Sequence, residues 1–248
     1  MSLTNVNECL LCGAGNPKVK FKLFFLDKYE RNCIQTECGS LFAENVDWLD
    51  EAYKINIDPG IIQRVLDNKS LIFGLSKILK FENVLDFGGG TGILTRILRD
   101  YSINSFSSDK YIENIFSSEF NYLENREYSF INLSEIVEHF DNPGNEFNKI
   151  LDYNPNYLLI STQLYQNQEK DWWYFALDEG QHIYFYSKSC LENFFLNEGY
   201  YGIINSNYQF FYNRKISFLK KVLISLLMNK ISIKLIRLLL VAKKPKYI

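Results

Sequence analysis

Residues 84–92, VLDFGGGTG, constrain this chain more than any other segment. An apolar run of strand type ends in Asp86, glycines follow at 88, 89, 90 and 92, and an amphipathic run, ILTRILRDY, starts at Ile93. Glycines between a strand and a helix allow positive φ and let a ligand approach the backbone with no Cβ in the way. In open α/β sheets such a turn lies at the C-terminal edge, where ligands bind. The dinucleotide fingerprint G-x-G-x-x-G needs a glycine at 93, which is Ile93, and the phosphate loop needs Gly-Lys-Ser/Thr, which is absent. The spacing D-x-G-x-G-x-G opposes a nicotinamide-dependent enzyme and predicts another nucleotide-like ligand.

Around this turn the pattern alternates. SINSFSSD reads as a strand ending in an acid and REYSFINLSE as another. IVEHFDNPGNEFNKIL reads as a helix, NYLLIST as a buried strand, and SCLENFFLNEGY as a helix closed by Gly199. Such alternation implies parallel strands with crossover helices, hence a doubly wound α/β sheet. Upstream, VKFKLFFLDKY reads as one or two strands, and residues 47–79 as helical with a break at Asp58-Pro59-Gly60. With 248 residues, 47% of them hydrophobic and 16% aromatic, the chain can bury a full core and is not a disordered segment.

The D-x-G-x-G-x-G run resembles motif I of class I S-adenosylmethionine-dependent methyltransferases. Asp109 ends the next strand 21 residues after Gly88, where a carboxylate can accept both hydroxyls of a ribose. SEIVEHFDNP resembles the family's fourth-strand segment. DWWYFALDEGQHIYFYS resembles a block of a bacterial subfamily that begins with a cysteine-pair module and a W-L-x-E-A-Y stretch, here residues 48–53. The resemblance runs from Cys9 to about Gly199. It implies a Rossmann-like doubly wound sheet with S-adenosylmethionine as cofactor. Asp86, Phe87, Gly88 and Gly90 are expected to seat its methionine part and Asp109 with Lys110 its ribose, with Ser134 and Glu135 as further cofactor contacts. Only 25 residues separate Asp109 from Glu135, so a third strand or its flanking helix is expected to be trimmed, and the acid that often contacts the adenine amino group has no counterpart.

On the acceptor side, alignment of the acceptor with the methyl and, for a hydroxyl, removal of its proton are the protein's tasks. His139 and His182 are the two histidines. His182, just after Trp172, Trp173 and Tyr174, is the first candidate base, with Tyr184 beside it facing the acceptor; a histidine hydrogen-bonded within a packed loop is the alternative. Glu135, Glu138 and His139 share one face if a helix starts at Glu135. A similar E-x-x-E-H in ubiquinone-pathway and small-RNA methyltransferases looks like a divalent-metal site, which would suit magnesium or manganese, with His182 as a fourth ligand. Other relatives carry the motif without metal. Trp172, Trp173, Tyr174, Tyr184 and Tyr186 form either an acceptor wall or core.

Cys9 and Cys12 in CLLCG and Cys33 and Cys38 in CIQTECG resemble a zinc ribbon, with four reduced structural thiols as the alternative. The start, MSLTNVNECL, shows neither a charged nor a long apolar signal region, so a cytoplasmic protein is expected. Residues 214–248 carry ten Lys/Arg and no acid, against 17 basic and 29 acidic residues before them. The acidic body argues against a nucleic-acid partner. The tail mixes Leu/Ile with Lys at helical intervals and is expected either to rest on anionic lipid, to hold an anionic acceptor, or to pack on the sheet with a solvated Lys face.

The organisation expected is a zinc-ribbon-like module (1–46), a helical lid or linker (47–80), the S-adenosylmethionine-binding domain (81–213) and the basic segment (214–248). The expected reaction is methyl transfer to a small molecule, a hydroxyl of a sugar, glycolipid or cell-surface glycan precursor. A silent scaffold of the same fold and a C- or N-methyltransferase stay open as alternatives.

Overall fold

The computed structural model describes residues 7–53 and 60–242, with backbone alone at 241 and 242. Residues 1–6 of the start, Asp58 and Pro59 of the expected break, and residues 243–248 of the basic tail lie outside the described residues. The chain divides into two compact units.

The first unit comprises residues 7–53 with Glu135–Ile150 and Thr162–Tyr201. Numbered along the chain, its strands are β1 (Lys18–Phe25), β2 (Tyr29–Gln35), β3 (Leu41–Ala43) and β8 (Tyr184–Phe185), in the order β1-β2-β3-β8. Alternation from Lys20 onward on β1 turns Phe21, Leu23 and Phe25 inward, as a half-buried strand requires. Trp48, just before the short helix α1 (Leu49–Ala52), stacks on Phe25 at 4.6 Å and donates its indole N–H to the Gly180 carbonyl at 2.8 Å. The β3–β8 pairing, Leu41 with Phe185 and Phe42 with Tyr184, joins the N-terminal sheet to a segment far along the chain.

Of the later helices expected in this unit, one forms and one changes. α5 (Lys188–Asn197) is capped by the Ser187 hydroxyl, which accepts from Cys190 N–H, and Gly199 follows at φ +81°. The helix expected from Ile136 to Leu151 is instead a 3-10 turn at Val137–His139 followed by α4 (Pro143–Leu151). Pro143 excludes helix from the residue before it and suits the first helical position, and Glu135 sits at φ +49°, outside helical space.

The second unit holds a six-stranded sheet in the order β5-β4-β6-β7-β10-β9. β4 (Asn83–Phe87), β5 (Asn104–Ser108), β6 (Phe130–Ser134) and β7 (Tyr157–Ser161) are parallel. β10 (Tyr208–Tyr212) adds antiparallel to β7, with β9 (Tyr201–Ile204) at the edge. This mixed α/β sheet is the expected Rossmann-like class, with an antiparallel hairpin the alternation did not announce. The trimmed region appears as expected: residues 109–129 carry a 3-10 turn at Ser118–Phe120 and one isolated bridge, Ser107 with Asn121. Helices α2 (Ile61–Ile78), α3 (Ile93–Asp100), α6 (Phe218–Leu227) and α7 (Lys230–Ala242) bury Leu71, Leu75, Leu98, Ile224 and Ile233 in one core with Val84, Phe130, Leu159 and Phe210 of the sheet. Arg237 of α7 reaches Gln63 at 2.8 Å and Asp67 at 3.8 Å on α2.

Candidate cofactor turn and acceptor cluster

The glycine turn follows β4. Gly88, Gly90 and Gly92 adopt φ of +72°, +54° and +79°, which only glycine holds without strain. Gly89 is required for a different reason: a Cβ there would meet Ser107 Oγ and lie 2.7 Å from Asp86 Oδ2. The N–H groups of Gly88 and Gly89 both donate to the Ser108 carbonyl, so the turn is clamped to the end of β5. Over Gly90 the nearest atom to an added Cβ is Ile112 Cδ1 at 4.0 Å, so a ligand can lie against this backbone.

Two carboxylates flank the turn. Asp86 is fully buried and accepts from Asn132 Nδ2 at 2.8 Å. Burial pushes its pKa up to about 7, against the pull of the Asn132 hydrogen bond and with a small push from Asp109. Asp109 accepts from Gly90 N–H at 2.9 Å on Oδ2, and from Tyr111 and Ile112 N–H at 2.8 and 2.9 Å on Oδ1. It therefore locks the turn it was expected to complete. Ser134, at the end of β6, accepts from Asn68 Nδ2 at 2.9 Å, while Asn68 Oδ1 accepts from Ser161 Oγ at the end of β7. The spacing gave no sign of Asn68, which reaches the ends of both strands from α2. Lys110 and its neighbour Tyr111 form an exposed hydrogen-bonded pair, and Phe87 closes β4 half-buried.

Next in the chain after Ser134, and belonging to the first unit, comes a buried acid–imidazole cluster. Ligand atoms of Glu138, His139 and His182 all lie within 4.8 Å of one another. Glu138 is completely buried, its pKa raised by desolvation against the hydrogen bond from Tyr174. Tyr174 OH lies 2.5 Å from Glu138 Oε1 and 3.0 Å from Glu135 Oε2, tying the two acids together. Glu138 Oε2 is buried with no hydrogen-bond partner. His182 Nδ1 lies 2.7 Å from the Tyr174 carbonyl oxygen, which only accepts, so Nδ1 carries the proton. In the neutral ring Nε2 is then the basic nitrogen, 3.9 Å from Glu138 Oε1.

The structure corrects two expectations on this side. Tyr184 is not beside His182 as an acceptor group: its hydroxyl is buried 3.0 Å from Cys9 Sγ. The aromatic wall is largely core, since Tyr174, Tyr184 and Tyr186 are at most 2% exposed, whereas Trp173 is 73% exposed.

The cysteines regroup as well. Cys9, Cys12, Cys38 and Cys190 place their sulfurs within 4.8 Å of one another, with Cys9 and Cys190 3.6 Å apart. A tetrahedron with metal–sulfur bonds of about 2.3 Å has sulfurs ~3.8 Å apart, so four thiolates fit zinc here. Cys33, expected as the fourth ligand, faces inward from β2 into the aromatic core and does not join the group. Burial pushes its thiol up to about 12. Hydrogen bonds from Cys12 and then Cys190 pull Cys9 down to about 6, the behaviour of sulfurs sharing protons.

No curated protein matches the chain. Among solved structures, the methyltransferase domain of bacterial CtHen1 is 17% identical, covering 59% of this chain and 95% of that one at a TM-score of 0.43. The Burkholderia thailandensis 1,6-didemethyltoxoflavin-N1-methyltransferase, with S-adenosylhomocysteine bound, is 10% identical over 67% of this chain and 83% of that one, at 0.45. Magnesium protoporphyrin IX methyltransferase of Synechocystis PCC 6803 is 9% identical over 68% and 94%, at 0.47. The family model described as "Methyltransferase domain" matches residues 44–203, well over half of the chain. The chain therefore belongs to that family, and it is a class I S-adenosylmethionine-dependent methyltransferase.

Proposed function

We propose that the methyl group goes to a hydroxyl oxygen of a small molecule, a sugar or glycan precursor, and that the glycine turn seats the donor. Asp86, Phe87, Gly88 and Gly90 hold the methionine part, with the Asp86 carboxylate toward its ammonium. Asp109 and Lys110 hold the ribose, and Ser134 and Glu135 complete the cofactor contacts. The observation that carries this reading is the clip between Asp109 and Gly90 N–H beneath an open backbone face. The sulfonium leaves as a neutral thioether, so acid–base help is needed only at the acceptor. His182 supplies it: the Tyr174 carbonyl fixes the tautomer that leaves Nε2 basic. The test of the donor site is calorimetry of the purified chain with S-adenosylhomocysteine and with NAD; heat with the first alone is expected, and heat with NAD alone overturns the assignment. Labelled donor offered to pools of sugar nucleotides, amines and carbon acids tests the acceptor: label is expected in sugar oxygen, and label in nitrogen or carbon overturns it.

A second reading of the acceptor side rests on Glu138 Oε2, a buried carboxylate oxygen with no hydrogen-bond partner, beside two imidazoles. This donor set fits a divalent cation, and two nitrogens with carboxylate favour manganese over magnesium. Glu138, His139 and His182 would hold it, with Glu135 alongside, and it would orient the acceptor oxygen. Titration of metal-free protein with Mn2+, followed by electron paramagnetic resonance, is expected to give one tight site lost in Glu138→Gln. An unbound Mn2+ spectrum returns the cluster to acid–base work alone.

The four-cysteine group supports a structural zinc on Cys9, Cys12, Cys38 and Cys190. With four thiolates it keeps no open position and takes no part in the transfer.

A further inference from the structure

The methyl-transfer reading leaves α6 and α7 unused. Both helices carry two apolar faces. On α6, Ile224 and Leu227 are buried in the core, yet Phe218, Leu219, Val222, Leu223 and Leu226 are exposed, Phe218 by 82%. Their spacing of one, four, five and eight residues makes them a single stripe along the helix. On α7, Ile233 and Leu240 face inward, while Ile231, Leu235, Leu238 and Leu239 form a second exposed stripe at helical spacing. Apolar patches of this extent on a protein surface mark an interaction site.

The charge around the stripes says what covers them. Residues 214–248 carry ten Lys/Arg and no Asp or Glu, and Lys215, Lys220, Lys230 and Lys234 are exposed. Arg237 is already committed to Gln63 and Asp67 on α2, so α7 is docked on its unit and presents its outer face as a formed helix. A second copy of this hairpin would bring like charge against like charge with no acid to offset it. A surface that is apolar at shallow depth and negative at its boundary satisfies both features at once. At 10 and 13 residues, α6 and α7 are shorter than the ~20 needed to cross a bilayer.

We propose that the α6–α7 segment is a membrane-docking surface: its Leu, Ile and Phe side chains enter the acyl boundary of an anionic leaflet while its lysines meet the headgroups. The proposal is independent of the identity of the methyl acceptor and of the cofactor assignment.

The test is flotation of the full chain with vesicles of phosphatidylcholine alone and of phosphatidylcholine with about one third phosphatidylglycerol. Co-flotation with the anionic vesicles alone is expected, weakened roughly tenfold in about 0.5 M salt. Leu223→Ser with Leu226→Ser, and Leu235→Ser with Leu238→Ser, should each abolish it while leaving the melting curve unchanged, because these side chains support no core. Absence of flotation, or equal flotation with neutral vesicles, overturns the proposal. So does a concentration-dependent dimer that the same substitutions dissolve, which would assign the stripes to a protein interface. Should a substituted chain fail to fold, the lipid and salt dependence of the unsubstituted chain decides alone.

Discussion

The glycine turn and the cysteine cluster each gather a handful of side chains around one point, but they do so by different routes. Asp86, Gly88 and Gly90 lie on one strand–turn–helix unit, and Asp109 directly follows the strand paired beside it, so a single crossover brings them together. Spacing along the chain is then nearly equivalent to position in space. The cysteine cluster closes with Cys190, which lies 181 residues from Cys9. What brings it there is the pairing of β3 with β8, followed by a helix capped at Ser187. Cys33, five residues from Cys38, faces the aromatic core from β2, whereas Cys38 lies in the turn beyond the end of that strand. Proximity in sequence identifies a site only where the intervening backbone path is a fixed unit.

The sharpest way to break that comparison is to substitute the near and the far cysteine. On the zinc assignment proposed above, Cys190→Ser should abolish zinc binding and lower the unfolding midpoint by on the order of 10 °C, since binding energy of a structural zinc is folding energy. Cys33→Ala should keep one zinc per chain and cost about 1 kcal/mol through a small cavity in the aromatic core. Elemental analysis with a melting curve reads both. Zinc lost from the Cys33 variant and kept in the Cys190 variant would restore the ribbon expected from spacing.

At the glycine turn, Asp109→Ala removes an acceptor from three backbone N–H groups and, on the reading above, from the ribose. Cofactor affinity by calorimetry should fall about a hundredfold, the effect of losing two charge-assisted hydrogen bonds. Gly89→Ala, which drives a methyl against Ser107 Oγ and Asp86 Oδ2, should fall about tenfold. Unchanged binding in both would detach the turn from the cofactor.

The same distinction explains what was legible. The order strand, turn, helix, strand could be read from residues 83–109 because apolar periodicity and glycine are local signals. The reading of residues 136–151 as one helix failed because Pro143 interrupts it, and the positive φ of Glu135 keeps a helix from starting one residue earlier. Glu138, His139 and His182 still converge, but through the 3-10 turn and the backbone bond from Ile183 N–H to the Glu138 carbonyl. Tyr184 and Tyr186 looked like a binding wall because residue type does not encode the direction of a strand. Once β8 pairs with β3, both rings turn inward, Tyr184 against Phe42 and Cys9, and Tyr186 with its hydroxyl on the Val137 carbonyl. The hairpin of β9 and β10 carries no such ambiguity; its run of Tyr and Phe around Asn-Ser-Asn has the composition of paired strands, although it breaks the α/β alternation of the preceding segments.

The smallest expected effect concerns how Asp86 is held. With a folded-state pKa of about 7, this carboxyl is protonated more readily in the fold than in the unfolded chain, whose value lies near 3.8. Its contribution to stability is therefore fully present below pH 3.8 and is lost as pH rises through 7. Asp86→Asn keeps an acceptor for Asn132 but removes the titration. The variant should gain on the natural chain in unfolding midpoint as pH rises from about 3.8 to about 7 in the absence of cofactor. Cofactor affinity should move the other way. If the Asp86 carboxylate faces the donor's ammonium, binding by the natural chain tightens as pH rises through 7, and binding by the variant stays flat. Parallel pH profiles for the two chains in both measurements would mean that Asp86 is a structural carboxyl shared between β4 and β6. The glycine turn would then rest on Asp109 alone, a single local anchor rather than two.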